Sequence, residues 1–167
     1  FLRPKDALDR WIAGYREVLR PRLLLGYFQA PERDPLDLER RIESILTSPT
    51  AHETGERTLG NPAATTPWRW AWGGTTAAYR LTGHYRGEET VLHVDRPALA
   101  VPQHLRVLPA RAGNLTVLHV PAPLAFDGAL PRTAHPLLVY TELLMANDDR
   151  AGEAATEIFE RFLVHLR

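Results

Sequence analysis

The stretch that decides the fold is WRWAWGGTTAAYRLTG, residues 68–83. Its first part alternates tryptophan with arginine or alanine, which is the period of a β-strand and places the tryptophans on one face. Its second part follows Gly73–Gly74 and has the spacing of a short helix closed by Gly83. The stretch therefore predicts a strand, a glycine turn and a helix in succession.

The row formed by Trp68, Trp70 and Trp72 has two interpretations. Successive aromatic rings can stack on nucleobases or sugars. More often, aromatic residues at this spacing form the core face of a sheet. We favour the core interpretation.

Other helices and strands are predicted on both sides of this stretch. On the N-terminal side, the apolar spacing predicts a helix over residues 5–20 ended by Pro21, a strand over 23–28, and a helix that starts at Asp34–Pro35. On the C-terminal side, it predicts strands at 89–94, 105–109 and 115–121, the last two joined in a hairpin at Gly113–Asn114, and helices that begin at Pro136 and after Asp148. This order predicts an α+β fold with a small mixed sheet packed with helices.

A chain of 167 residues, 44% hydrophobic and 24% charged, is expected to form a single soluble domain. We divide residues 1–167 into a helical N-terminal part (1–48), a loop rich in Thr, Pro and Gly (49–67), a sheet-containing part (68–134) and C-terminal helices (135–167). The chain begins at Phe1, so we expect it to be part of a longer protein.

The composition excludes several classes of function. The chain has no cysteine, which rules out disulfides, thiolate metal sites and cysteine nucleophiles. Its 20 basic and 20 acidic residues balance, whereas a free-standing nucleic-acid-binding domain usually has a basic excess. No apolar run approaches the roughly 18 residues of a membrane span and no signal peptide is visible, so a cytoplasmic protein without membrane contact is expected.

The glycine turn is the strongest candidate for a binding site. Gly73, Gly74, Thr75 and Thr76 lie where a strand meets a helix, and the free N–H groups of a helix N-terminus bind anions such as phosphate. The residues are therefore a candidate anion or nucleotide site. The alternative, which we favour, is a structural turn whose glycines let the helix press on the sheet.

A similar turn occurs in nucleotidyltransferases, where the next strand carries two metal-binding carboxylates. Here that strand offers His93 and Asp95, so one carboxylate is missing and histidine is a poor Mg²⁺ ligand. His93 and Asp95 have two interpretations, a base with its orienting group or a polar pair at a strand edge, and we favour the polar pair. We expect no catalytic residue, no metal site and no cofactor. One interpretation of the scaffold is a degenerate nucleotidyltransferase-like fold.

Three segments resemble a known family. They are PKDALDRWIAGY (residues 4–15), the glycine-turn stretch with its following strand, and HPLLVYTELLMANDDRAGEAA (residues 135–155). All three are similar to the C-terminal domain of AbiEi-type antitoxins from type IV toxin–antitoxin systems. The family-motif residues are Tyr140, Leu143, Leu144, Arg150 and Glu153, and the chain has Glu142 where the family often has aspartate.

The resemblance implies a domain that counteracts a nucleotidyltransferase-type toxin. Family members usually also carry an N-terminal winged helix that binds promoter DNA. No winged helix is evident here, so DNA contact is expected only through such a segment of a longer transcriptional regulator. The alternative function is an inactive nucleotidyltransferase-like domain that binds nucleotide or nucleic acid. The motif at residues 135–155 can equally serve folding alone, since its apolar side chains suit a helix interface.

Overall fold

The computed structural model describes residues 3–48, 68–97, 99–146 and 148–167. Helices begin and end the chain, and strands and helices are interspersed between them. The helices are α1 (Pro4–Gly14), α2 (Arg20–Leu23), α3 (Pro35–Thr47), α4 (Gly74–Thr82), α5 (Val101–Leu105), α6 (Pro136–Met145) and α7 (Asp149–Ile158). The strands are β1 (Leu24–Gln29), β2 (Trp70–Gly73), β3 (Thr90–Val94), β4 (Leu108–Ala110) and β5 (Leu115–His119). The predicted loop at 49–67 lies outside the described residues. None of the described helices has the length and apolarity needed to cross a membrane.

The strands form one mixed sheet in the order β2-β3-β5-β1-β4. Strands β3 and β5 are parallel, and the other neighbours are antiparallel. At the outer edge of β2, the Trp72 N–H donates to the Arg132 carbonyl and the Ala134 N–H donates to the Trp72 carbonyl, both at 2.8 Å. The sheet and its helices confirm the predicted α+β class.

Helices cover both faces of the sheet. Trp72 pairs with Leu92 and Ala71 with His93, so Trp72 and His93 point to opposite faces. The indole of Trp72 donates to Glu43 of α3 (2.9 Å), whereas the ring of His93 meets Glu142 of α6 (2.9 Å). The sheet therefore lies between α3 on one side and α6 on the other.

The tryptophan row lies mainly in the core. Trp70 and Trp72 are buried, and their rings meet edge to face with centroids 5.6 Å apart. Trp68, which precedes the strand, is half-buried and stacks on His104 with centroids 4.7 Å apart. The core interpretation is confirmed for Trp70 and Trp72.

Pro21 does not end the first helix, contrary to the sequence prediction. After α1 the chain passes through a π-helical turn, Tyr15–Leu19, and continues as α2 to Leu23. Proline has no N–H to give to the helix, but at the start of α2 it occupies a position that tolerates this loss. The start of α3 agrees with prediction, because Asp34 accepts from the N–H of Leu36 at 2.7 Å.

The predicted hairpin at Gly113–Asn114 is wrong, because β1 lies between β4 and β5 in the sheet. Gly113 packs on the backbone at the end of β1, where an added Cβ would lie 1.9 Å from the Phe28 carbonyl oxygen. The Asn114 side chain accepts from the Ala30 N–H (2.8 Å) and donates to the Glu32 carbonyl (2.6 Å). Gly113 and Asn114 therefore pack against and hydrogen-bond to the end of β1, and they do not form a two-residue hairpin turn.

Replacing Gly113 with alanine is expected to destabilise the protein by about 3 kcal/mol, because the new methyl group must displace strand backbone. Gly152→Ala is the matched control. Nothing lies within 4 Å of a Cβ at Gly152 in α7, so that change should stabilise the helix by about 0.5–1 kcal/mol. Urea unfolding measures both changes. Equal effects in the two variants would contradict the close contact with Phe28.

Candidate functional site

The glycine turn joins β2 directly to α4 and already faces an anion, which the chain itself supplies. The N–H of Gly74 donates to Oε2 of Glu142 on α6 at 2.6 Å. Gly74 is the first residue of α4, so the carboxylate lies at a helix N-terminus, where the helix dipole favours negative charge. The contact expected of a bound phosphate is made here by an internal carboxylate.

The other carboxylate oxygen of Glu142, Oε1, contacts two further side chains. Its Oε1 accepts from the hydroxyl of Tyr15 at 2.8 Å and lies 2.9 Å from Nε2 of His93. Tyr15, His93 and Glu142 are 1%, 0% and 7% exposed, so the cluster is shielded from water. We call Tyr15, Gly74, His93 and Glu142 the Glu142 cluster. It ties the N-terminal helical segment, the sheet and the glycine turn to α6.

The surroundings of Glu142 keep its carboxyl group ionised. Burial alone would raise its pKa, but the nearby charge of His93, hydrogen bonds from His93 and Tyr15, and the charge of Arg20 together place the pKa below its ordinary value. The pKa of the Tyr15 hydroxyl is raised by burial and by the neighbouring Glu142 carboxylate. The hydroxyl therefore stays protonated and donates to the carboxylate.

Glycine at both positions of the turn follows from the packing of the Glu142 cluster. A Cβ on Gly73 would lie 2.6 Å from Nε2 of His93 and 2.7 Å from Oε2 of Glu142. Gly74 has φ +48°, which L side chains rarely adopt, and its Cβ would lie 2.9 Å from Cγ2 of Val91. Because neither glycine has a side chain, the buried carboxylate of Glu142 can approach the N-terminus of α4.

The two threonines of the turn attach α4 to the start of β3. The hydroxyl of Thr75 donates to the Glu89 carbonyl at 3.1 Å, and the Val91 N–H donates to the Thr76 hydroxyl at 3.4 Å. Thr76 is buried and Thr75 is half-buried. These contacts, together with the internal carboxylate, support the structural interpretation of the turn, which stays a prediction.

His93 and Asp95 are not brought together as a base and its orienting group. The ring of His93 is directed to Glu142, and Oδ1 of Asp95 lies 3.5 Å from Nε of Arg96. Within the described ranges, no group of three or more histidine, aspartate or glutamate side chains is placed to hold a metal ion.

Of the family-motif residues, Leu143 is buried while Tyr140 and Leu144 are half-buried. The ring of Tyr140 lies 5.5 Å from that of Phe159, and the carbonyl of Leu144 accepts from Arg16 at 3.0 Å. The guanidinium of Arg150 lies 5.4 Å from the ring of Tyr85, and Glu153 is exposed. The motif residues thus contact several different parts of the fold, and they do not form a single cluster.

Sequence reasoning missed the role of Glu142, which it treated only as a departure from the family pattern. One signal was available. Glu142 follows Leu138 by four residues, so the two share a face of α6. A glutamate on the apolar face of a helix indicates a buried partner, because an unpaired buried charge is costly.

A second polar cluster joins α3 to α4 and to the segment before β3. Nη2 of Arg80 lies 2.9 Å from Oε2 of Glu39 and 2.7 Å from Oε1 of Glu43, and Nη2 of Arg86 lies 2.6 Å from Oε1 of Glu39. Glu39 is only 3% exposed. Both arginines are therefore neutralised by carboxylates of the same chain.

In this α+β domain, the N-terminus of α4 is thus filled by a carboxylate of the same chain. Residues 1–164 match the family described as "Transcriptional regulator, AbiEi antitoxin, Type IV TA system". The chain belongs to this AbiEi antitoxin family, which is a family of antitoxins and not of enzymes. No curated protein and no solved structure gave a significant match.

The ionised state of Glu142 predicts a pH dependence of stability. Its pKa in the folded protein is below the ordinary 4.5, so its contribution is complete above that value and is lost as the pH falls through the folded pKa. We expect the stability difference between wild type and Glu142→Gln, measured by urea unfolding, to shrink as the pH falls below about 4.5. The comparison is made between pH 5 and pH 3, and the groups that face the carboxyl are Tyr15, His93 and Arg20. A difference that stays constant down to pH 3 would contradict the ionised carboxylate.

Proposed function

We propose that this chain is an antitoxin domain that counteracts a nucleotidyltransferase-type toxin, within a longer transcriptional regulator. Promoter DNA is contacted by a winged helix elsewhere in that regulator. The observation that carries the proposal is the family match over residues 1–164, which includes every helix and strand from α1 to α7. The match therefore covers the whole described fold and not only a short motif.

The filled glycine turn argues against the alternative function, which is the binding of nucleotide or nucleic acid. A phosphate that entered the turn would have to displace Glu142 from the Gly74 N–H, from Tyr15 and from His93. The ion pairs of Arg80 and Arg86 with glutamate also argue against nucleic-acid binding, because these two positive charges are already neutralised. Nucleic-acid-binding surfaces usually depend on available cationic groups.

Growth rescue tests the proposal. The proposal predicts a nucleotidyltransferase-type toxin gene beside the gene of this chain, and that toxin is induced in a bacterial host with and without residues 1–167. We expect the chain to restore colony formation, and Glu17→Ala, a change at an exposed residue outside the family-like segments, to rescue equally well. The proposal fails if the chain accumulates in folded form and toxicity is unchanged.

A transfer assay tests the expectation that the chain has no nucleotidyl-transfer activity. Asp95 directly follows β3, and the two preceding residues on its side of the chain are His93 and Val91, so neither supplies the second carboxylate of a two-carboxylate metal site. Incubation with Mg²⁺ or Mn²⁺ and labelled nucleotides is expected to give no transfer to RNA or protein. Metal-dependent transfer that is lost in Asp95→Ala would contradict this expectation.

A further inference from the structure

The Glu142 carboxylate is held as a protein holds a small bound carboxylate. Its Oε2 accepts from the Gly74 N–H at 2.6 Å, and its Oε1 accepts from the Tyr15 hydroxyl at 2.8 Å. Nε2 of His93 lies 2.9 Å from the same Oε1, and because an ionised carboxylate only accepts hydrogen bonds, this nitrogen carries the proton. None of the three donors belongs to α6, which carries Glu142. The carboxylate and its donors therefore come from separate parts of the fold.

The three donors are held in place by contacts that do not involve Glu142. The ring of Tyr15 stacks on that of Trp11 with centroids 5.7 Å apart, and the Trp11 indole donates to the Thr141 hydroxyl at 3.1 Å. His93 lies on β3, between β2 and β5 in the sheet, and the Gly74 N–H is the first of α4. We expect these positions to persist when the Glu142 side chain is removed. A preorganised site binds its ligand without the cost of ordering the donors.

The shape and charge of this site suit a small monocarboxylate. Its donors reach the two oxygens of one planar group, and a Cβ on Gly73 would lie 2.7 Å from Oε2 of Glu142, so little room remains beyond that oxygen. The positive charge of Arg20 acts on the same carboxylate. A phosphate brings additional oxygens and charge, which would need further donors in a region closed to water. The site therefore fits a carboxylate better than a phosphate.

We propose that Tyr15, Gly74 and His93 form a preformed binding site for a small carboxylate, which the side chain of Glu142 occupies in the folded protein. Removing that side chain opens the site to a free carboxylate from solution. Glu142→Ala removes Cγ, Cδ and the two oxygens, and acetate consists of the same four heavy atoms. The inference concerns an internal binding site and goes beyond the proposed function.

Thermal unfolding of residues 1–167 at pH 7 tests the proposal, with sodium acetate replacing sodium chloride at constant ionic strength. The Tm of Glu142→Ala should rise with acetate in a saturable manner, by at least about 2 °C at about 100 mM. Wild type and Glu153→Ala, which both keep Glu142, should show no such rise. Glu142→Ala/Tyr15→Phe lacks one donor to the bound anion and should need at least about tenfold more acetate.

A second variant tests the fit by size. Glu142→Gly also removes Cβ, so the missing heavy atoms are those of propionate. Acetate should raise the Tm of Glu142→Ala more than propionate does, and propionate should raise the Tm of Glu142→Gly more than acetate does. A general effect of carboxylate salts on the solvent cannot reverse this order between two variants of one residue.

A variant that is unfolded in chloride is followed by circular dichroism instead. Acetate or propionate should then refold it, and sucrose, which favours the folded state without occupying a site, supplies the folded reference. The proposal is overturned if a variant that folds in sucrose gains nothing from its matching carboxylate, or if wild type gains as much. It is also overturned if the two variants show the same order of preference, or if inorganic phosphate stabilises Glu142→Ala more than acetate does.

Discussion

Replacing Glu142 by alanine is expected to lower the free energy of unfolding by about 4 kcal/mol, because removing one partner of a buried charged cluster leaves the others unpaired. The Tyr15 hydroxyl, the His93 ring and the Gly74 N–H all lose their acceptor in a region closed to water. The lost side chain also leaves a cavity under α6.

Urea unfolding at pH 7 measures this loss, and an unchanged denaturant slope would show that the unfolded state is unaffected. Glu153→Ala is the control, since Glu153 is an exposed glutamate on α7 and its loss should change stability by no more than about 0.5 kcal/mol. Glu142→Gln keeps an acceptor oxygen and should lie between wild type and Glu142→Ala. A loss below about 1 kcal/mol in Glu142→Ala would mean that the Glu142 cluster does not hold the four segments together.

Gly73→Ala is expected to destabilise the protein by about 3 kcal/mol, because the added methyl group enters a packed polar cluster. It would lie 2.6 Å from His93 and 2.7 Å from Glu142, so one of the two must move away. Gly74→Ala should cost about 2 kcal/mol, since an L residue there must adopt a left-handed conformation. Gly14→Ala in α1 is the control, because nothing lies within 4 Å of its Cβ.

Backbone amide shifts test the role of the same turn as an anion site. Titration of wild type with inorganic phosphate is expected to leave the amides of residues 73–77 unshifted, since Glu142 already accepts from Gly74. Saturable shifts confined to those residues would instead identify a phosphate site that competes with the carboxylate. In that case the nucleotide-binding alternative would replace the structural interpretation.

The sequence was sufficient where local signals determine structure. The alternating tryptophans, the glycine turn and the capping residue Asp34 each act within a few residues, and β2, α4 and α3 form where they predict. The order of the strands depends on contacts between distant segments, such as Gly113 against Phe28. The Gly113–Asn114 pair predicts a hairpin when only neighbouring residues are considered. In the structure, β1 lies between β4 and β5 and separates the two strands.

The candidate site was predicted only in part for the same reason. The sequence located a helix N-terminus suited to an anion but gave no indication of which anion lies there. Tyr15 and His93 are 127 and 49 residues away from Glu142 along the chain, and only the tertiary fold brings them together. Pattern analysis treats such residues one at a time, so it does not detect a buried cluster built from four distant segments.

The two edge strands of the sheet affect the tendency of the protein to aggregate at high concentration. An unprotected edge strand is a template for intermolecular pairing and aggregation. At β2, the N–H and carbonyl of Trp72 are already used by residues 132 and 134 of the same chain. At the opposite edge, β4 is three residues long with Pro109 at its centre, and proline has no N–H to offer an incoming strand. Both edges therefore disfavour strand addition, which lowers the tendency of the protein to associate by extending its sheet.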